Sequence, residues 1–129
     1  MVKFERFMGK ARNNHPWATC GKPLNSLQAF DLRDHFYRWR GASNRRYVFS
    51  IFPRSEEATV AEFSEAVIIG VVNDASARQP ICILSSRDFE TEEGRLLRAE
   101  ARSLGVNEWH VHFDVDSMCL RDLASVLLN

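Results

Sequence analysis

The sequence predicts a single α+β domain, a small, mostly antiparallel sheet flanked by helices. Three observations carry that expectation. Residues 35–52 and 66–85 each hold two β-branched or aromatic runs joined by turn residues, the pattern of a hairpin. Apolar residues recur at helical spacing in residues 92–104 and 120–127. Between those helices, Trp109, Val111, Phe113 and Val115 alternate with His110, His112, Asp114 and Asp116, the period of a half-buried strand. Strands that come first as hairpins, with helices following, suit an α+β arrangement. A chain of 129 residues, 45% of them hydrophobic, fits one domain with a core of its own.

Residues 1–34 read as an N-terminal arm and a short helix, and 35–129 as the α+β body. In the arm, Asn13, Asn14, Pro16, Gly21 and Pro23 break any period, while Phe4, Phe7, Met8 and Trp17 are apolar enough to dock it on the body. Asn25 or Ser26 is placed to cap a helix over residues 27–34. Gly41-Ala42-Ser43-Asn44 turns the chain between strands near 35–40 and 45–52, and Pro53 ends the second. The polar stretch 54–65 is a connection with room for one helical turn. AVIIGVVN, residues 66–73, is a continuous β-branched run and so a buried strand. Asn73 to Ser76 turns the chain, and PICILS, residues 80–85, returns as a second buried strand. Leu97, Ala101 and Leu104 form one stripe of the next helix, with Gly105 at its C′ position. Asp116 or Ser117 then caps a last helix striped by Leu120, Leu123, Ala124 and Leu127.

Composition narrows the chemistry. Cys20, Cys82 and Cys119 are odd in number, widely spaced and without a CxxC, which argues against a disulfide framework or a cysteine zinc site. No apolar run approaches a membrane span, and the first residues lack a signal-peptide core. The expected compartment is cytoplasmic. Formal charge is zero, yet residues 1–46 hold ten Lys/Arg against three acids. That asymmetry fits either a nucleic-acid-facing segment or two halves that pair their charges on folding.

Candidate sites follow. Arg38, Trp39, Arg40, Arg45 and Arg46 cluster around one hairpin turn beside Tyr37 and Tyr47, and arginines interleaved with aromatics suit phosphate contacts and base stacking. The alternative is a solvated strand end whose arginines pair with Glu56, Glu57, Glu62 or Glu65. His110, His112 and Asp114 share a strand face and are chemically fit for Zn²⁺ or Fe²⁺, against the plainer reading of a polar sheet face. Cys82 beside either histidine would form a thiolate–imidazole pair, but no flanking signature supports it. Ser85 with Asp88 reads as a helix cap rather than an anion loop.

A family resemblance joins these observations. The hairpin AVIIGVV followed by PICILSSRDFE, the strand LGVNEWHVHF and the terminal LLN, preceded by RGASNRRYVFSIFP, resemble GIY-YIG nuclease domains, including a bacterial branch with a similar histidine-bearing strand. The resemblance implies the order hairpin, helix, strand, helix over residues 66–129. It also implies a site of one tyrosine from each hairpin strand, an arginine on the following helix and a metal-binding glutamate on the last. Here those tyrosine positions hold Ile68 and Cys82, and Leu84 replaces a glycine. Arg95 or Arg98 supplies the arginine. The last helix offers only Asp116 and Asp122, although Asn129 matches. Ile and Leu side chains neither donate nor accept a hydrogen bond. The resemblance therefore implies a catalytically degenerate copy that serves binding.

The expected protein is a non-catalytic module, with no cofactor or metal, that binds nucleic acid or a protein partner through the basic aromatic hairpin. Two alternatives stand beside it. One is a metal-dependent nuclease or hydrolase using His110, His112 and Asp114. The other is a homodimer joined through the last helix and the residue 66–72 strand.

Overall fold

The computed structural model describes residues 5–6, 21–23, 35–113 and 118–127. The α+β expectation holds. Among the described residues seven strands form one sheet in which every pairing is antiparallel: β1 (Glu5–Arg6), β2 (Gly21–Pro23), β3 (Phe36–Arg40), β4 (Arg46–Pro53), β5 (Ala66–Asn73), β6 (Arg78–Ser85) and β7 (Glu108–Phe113). Their spatial order is β1-β6-β5-β7-β4-β3-β2. The helices are α1 (Glu57–Val60), α2 (Ser86–Phe89), α3 (Glu92–Ser103) and α4 (Met118–Leu127). No helix among the described residues is long and apolar enough to cross a membrane.

Both predicted hairpins form. Phe36 pairs with Ser50 through Arg40 with Arg46, and Val67 pairs with Ser85 through Asn73 with Arg78. In the second hairpin Gly70 faces Cys82 and Val71 faces Pro80, so Ile81 is an extra residue and the ladder bulges there. Pro80 is tolerated because β6 lies next to the sheet edge, where β1 pairs only with Ile83 and Cys82. Residues 54–65 hold a 3₁₀ turn at Arg54–Glu56 and then α1.

The arm differs from the expectation of an irregular segment. Its β1 and β2 are strands at opposite edges of the body sheet, with Gly21, Lys22 and Pro23 facing Trp39, Arg38 and Tyr37. The expected helix over 27–34, the capping residues Asp116 and Ser117, and Asp114 and Asn129 lie outside the described residues.

Helices pack on both faces of the sheet, α4 on one and α2 and α3 on the β5–β6–β7 part of the other, which the alternation alone did not suggest. On one face α4 inserts Cys119, Leu123, Ala124 and Leu127 against Tyr37, Trp39, Tyr47, Phe49, Val67 and Ile69. On the other, Phe89 of α2 and Leu97 and Ala101 of α3 pack on Ile68, Cys82, Leu84, Trp109 and Val111. The Ala66–Val71 run is buried because β5 lies between β6 and β7 under both layers. It therefore offers no free surface, which corrects the strand's part in the predicted dimer interface.

Local chemistry fixes the helix ends. Ser85 Oγ accepts from the Asp88 N–H at 3.2 Å and Thr91 Oγ1 from the Gly94 N–H at 3.0 Å, the N-caps of α2 and α3. The Ser85 segment is thus a cap, as predicted. Gly105, at φ 102°, follows the C-cap Leu104 of α3. Leu104 itself is exposed, so the predicted stripe reduces to Leu97 and Ala101.

Candidate functional site

Strand alternation divides the five hairpin candidates among three environments. Tyr37 and Trp39 point to the α4 face, and Trp39 is fully buried. Arg38 and Arg40 occupy the intervening positions and project to the other face. Directly paired residues share a face, so Arg46 opposite Arg40 and Val48 opposite Arg38 join them. Arg45 lies on the α4 side, its guanidinium 5.9 Å from the Tyr47 ring centroid. Trp39 is therefore withdrawn as a contact residue, because it belongs to the core. Arg45 is separated from the remaining three.

The three arginines stand on a half-sheet whose face carries no described helix. Lys22 faces Arg38 in the pairing register. On the same side of the sheet lie Ser50, its buried partner Val111 and then the exposed Phe113. Val48 is 43% exposed and Phe113 57% exposed. Phe113 meets Phe63 edge-on at 5.2 Å, and Phe63 meets Phe52 at 5.4 Å. The expected alternative, arginines paired with the acidic connection, is not what forms. Glu57 pairs with Arg98 at 3.2 Å and with Arg102, while Arg38, Arg40 and Arg46 have no carboxylate within ion-pair reach among the described residues. Arg38 Nε is buried without a hydrogen bond. Arg40 directly opposite Arg46 is a like-charge cross-strand pair, which destabilises a sheet by up to about 1 kcal/mol unless an anion sits over it.

The predicted polar face of β7 is corrected. His110 is 0% exposed, covered by Tyr37 and Trp39. Trp39 Nε1 donates to His110 Nδ1 at 3.0 Å. Indole nitrogen is only a donor, so Nδ1 is bare and the proton rides on Nε2. Nε2–H then donates to Glu108 Oε1 at 2.9 Å. Glu108 also accepts from Arg78 Nε at 2.9 Å and Asn73 Nδ2 at 2.9 Å. Arg78 in turn stacks 5.0 Å over the Tyr37 ring.

Burial disfavours charge on both acid–base partners of this network, with opposite outcomes. It pushes the His110 pKa down, against the opposing pull of Glu108. It would raise Glu108, but the bonds from His110, Arg78 and Asn73 outweigh it and hold that carboxylate at about 2. The result is a neutral imidazole on a charged carboxylate. Both ring nitrogens are occupied, so His110 has no lone pair for a substrate or a metal. His112 donates Nδ1–H to the Val48 carbonyl at 2.8 Å and packs against Tyr47 and Phe49. Among the described residues no three His, Cys, Asp or Glu side chains are grouped to hold a metal.

These shifts set a pH dependence. The unfolded chain takes up a proton near 6.5 that folded His110 resists, so stability falls as pH drops below about 6.5. Glu108, depressed from 4.5 to about 2, contributes stability at neutral pH that is lost as pH falls from about 4.5 to about 2. Urea midpoints measured from pH 8 to pH 3 are expected to decline in those two stages, with the upper stage absent in His110→Gln. A wild-type midpoint unchanged between pH 7 and pH 5.5 would remove His110 from this account.

Cys82 is fully buried in the β6 strand, and Gly70 faces it because a Cβ there would lie 2.9 Å from the cysteine sulfur and from the Trp109 ring. Ile68, on the adjacent β5, is fully buried on the same side. Of the two arginines the resemblance offers, Arg98 is held by Glu57 and Glu90 at 3.2 and 3.1 Å and lies 4.3 Å over Phe89. Arg95 points to solvent, with Glu90 at 4.0 Å.

Fold and site together define an α+β domain with a helix-covered half-sheet and a cationic, partly aromatic open half. Comparison with known protein families, with curated proteins and with solved structures returns no match.

Proposed function

We propose that this domain is a non-catalytic module that holds a single strand of nucleic acid on the open half-sheet. The observation that carries the reading is the facing pair Arg40 and Arg46 beside Arg38, with no carboxylate partner among the described residues. Alternate residues along a strand stand about 7 Å apart and paired residues about 5 Å, so the three guanidiniums form a compact anion-binding track. Val48 and Phe113 at its border supply apolar surface, and exposed phenylalanine stacks on any base. The occupied ring of His110 argues against the hydrolase alternative. A degenerate GIY-YIG-like ancestry is compatible with this reading, because Ile68 and Cys82 serve the core and bring no hydroxyl to a cleft. It remains part of the proposal.

The test is fluorescence anisotropy with a labelled 20-nucleotide single strand. Wild-type affinity should fall with salt. The variant carrying Arg38→Ala, Arg40→Ala and Arg46→Ala should bind at least about tenfold more weakly at 0.1 M salt, with the log–log salt slope reduced by about 2. Phe113→Ala should cost about 1 kcal/mol of binding without changing that slope. Equal binding by the triple variant would overturn the proposal. Retention of an acidic protein instead of nucleic acid would reassign the same face.

A further inference from the structure

We propose that the opposite side of the same hairpin carries a second anion site, a pocket for a phosphate monoester attached to a planar base. The pocket lies between the turn and the first two turns of α4, with a volume of about 390 Å³, within the range of small-ligand sites. Ser43, Arg45 and Tyr47 line it from the hairpin, and Met118, Arg121 and Asp122 from the helix. It is distinct from the open half-sheet, since neither Arg45 nor Arg121 belongs to that face.

Charge decides what it takes. Asp122 stands in the pocket, but its carboxylate is committed to the turn. Oδ1 accepts the Ser43 N–H at 2.7 Å, and Oδ2 accepts Ser43 Oγ–H at 2.6 Å and Tyr47 O–H at 2.8 Å. The Ala42 N–H donates to the Asp122 carbonyl at 3.0 Å, so helix and turn are joined by backbone as well. Gly41 is required for this approach, because a Cβ there would sit 2.3 Å from the same carboxylate. These bonds make the walls rigid and prebuilt. They also leave Arg45 and Arg121, one on each wall, without a carboxylate in ion-pair reach among the described residues. Among the described lining residues, two guanidiniums stand against one carboxylate, a net positive lining. Guanidinium groups match phosphate oxygens in pairs. The Tyr47 ring and the exposed Met118 side chain give the apolar surface that a base needs.

The experiment titrates the full chain with adenosine 5′-monophosphate, adenosine and inorganic phosphate, read by amide chemical shifts and by calorimetry. The monophosphate should bind with shifts centred on Ser43 and Asp122, and adenosine about tenfold more weakly or worse. Arg121→Ala and Arg45→Ala, both at exposed positions, should each weaken the monophosphate about tenfold. The Arg38/Arg40/Arg46 alanine variant should bind it as the wild type does, so failure of the strand-binding face is read separately. A 5′-phosphorylated oligonucleotide that outcompetes its 5′-hydroxyl counterpart assigns the pocket to a strand end. Equal oligonucleotide binding with monophosphate binding retained assigns it to a free nucleotide. Monophosphate and adenosine binding alike, or an Arg121→Ala variant that binds the monophosphate unchanged, would overturn the inference.

Discussion

Replacing His110 by alanine is expected to destabilise the domain by about 4 kcal/mol, the largest effect of any single change considered. Three costs combine. The ring is fully buried, and truncation leaves a cavity beside Trp39 and Tyr37. Trp39 Nε1 loses its acceptor, and an unsatisfied buried donor costs about 1–3 kcal/mol. Glu108 loses one of its charge-assisted donors while remaining largely buried. Glutamine should recover part of the loss, because its amide offers an acceptor and a donor where the imidazole did. Urea denaturation of wild type, His110→Ala and His110→Gln at pH 7.5 checks this. An alanine variant within 1 kcal/mol of wild type would show that the network is peripheral to stability.

Gly94→Ala should lower stability by about 3 kcal/mol, although intrinsic helix preference alone favours alanine by about 1 kcal/mol. Gly94 is the third residue of α3, and its N–H is capped by Thr91. Thr91 Oγ1 also donates to the Asp88 carbonyl at 2.7 Å, folding the α2 end tightly over the α3 start. A Cβ at Gly94 would lie 1.9 Å from the Asp88 carbonyl oxygen, far inside a close C···O contact of about 3.3 Å. The obstacle is backbone, so no rotamer relieves it. The α3 start must tilt away, loosening Phe89 from Trp109 and Arg98 from Glu90. Thermal and urea unfolding against Gly105→Ala, whose new Cβ would have only ordinary contact at 3.7 Å and whose cost is backbone strain at φ 102°, separates collision from dihedral strain. Stabilisation by Gly94→Ala would mean that the α2–α3 junction yields freely.

How much of this was legible follows from what a residue period encodes. Turn residues and β-branched runs located both hairpins, with strand ends within two residues, since those signals are local. The same period separates Arg45 from Arg46 and Trp39 from its flanking arginines, so the split of the hairpin cluster is encoded in the alternation itself. His110 is different. Alternation tells which residues share a side, not whether that side is wet. A second apolar layer was signalled only jointly, by Tyr37, Trp39, Tyr47 and Phe49 at alternate positions together with the striped last helix. Gly94 was invisible, because nothing in a helical pattern reports which backbone lies against it. The partner of β7 was equally hidden, since pairing between distant strands depends on the whole sheet.

That partner has a consequence for how the molecule is made. β7 lies between β5 and β4 and, among the described strands, is the one that joins the two hairpins within the sheet. Each hairpin is continuous in the chain and closes quickly, but their union waits for residues 108–113, which are synthesised last among the strands. Until then β4 and β5 each present an unpaired edge of eight residues, rich in Val, Ile and Phe. Such edges invite pairing with other chains. A nascent or truncated chain lacking β7 would thus be two sticky ribbons, and insertion of a single strand converts them into one protected sheet.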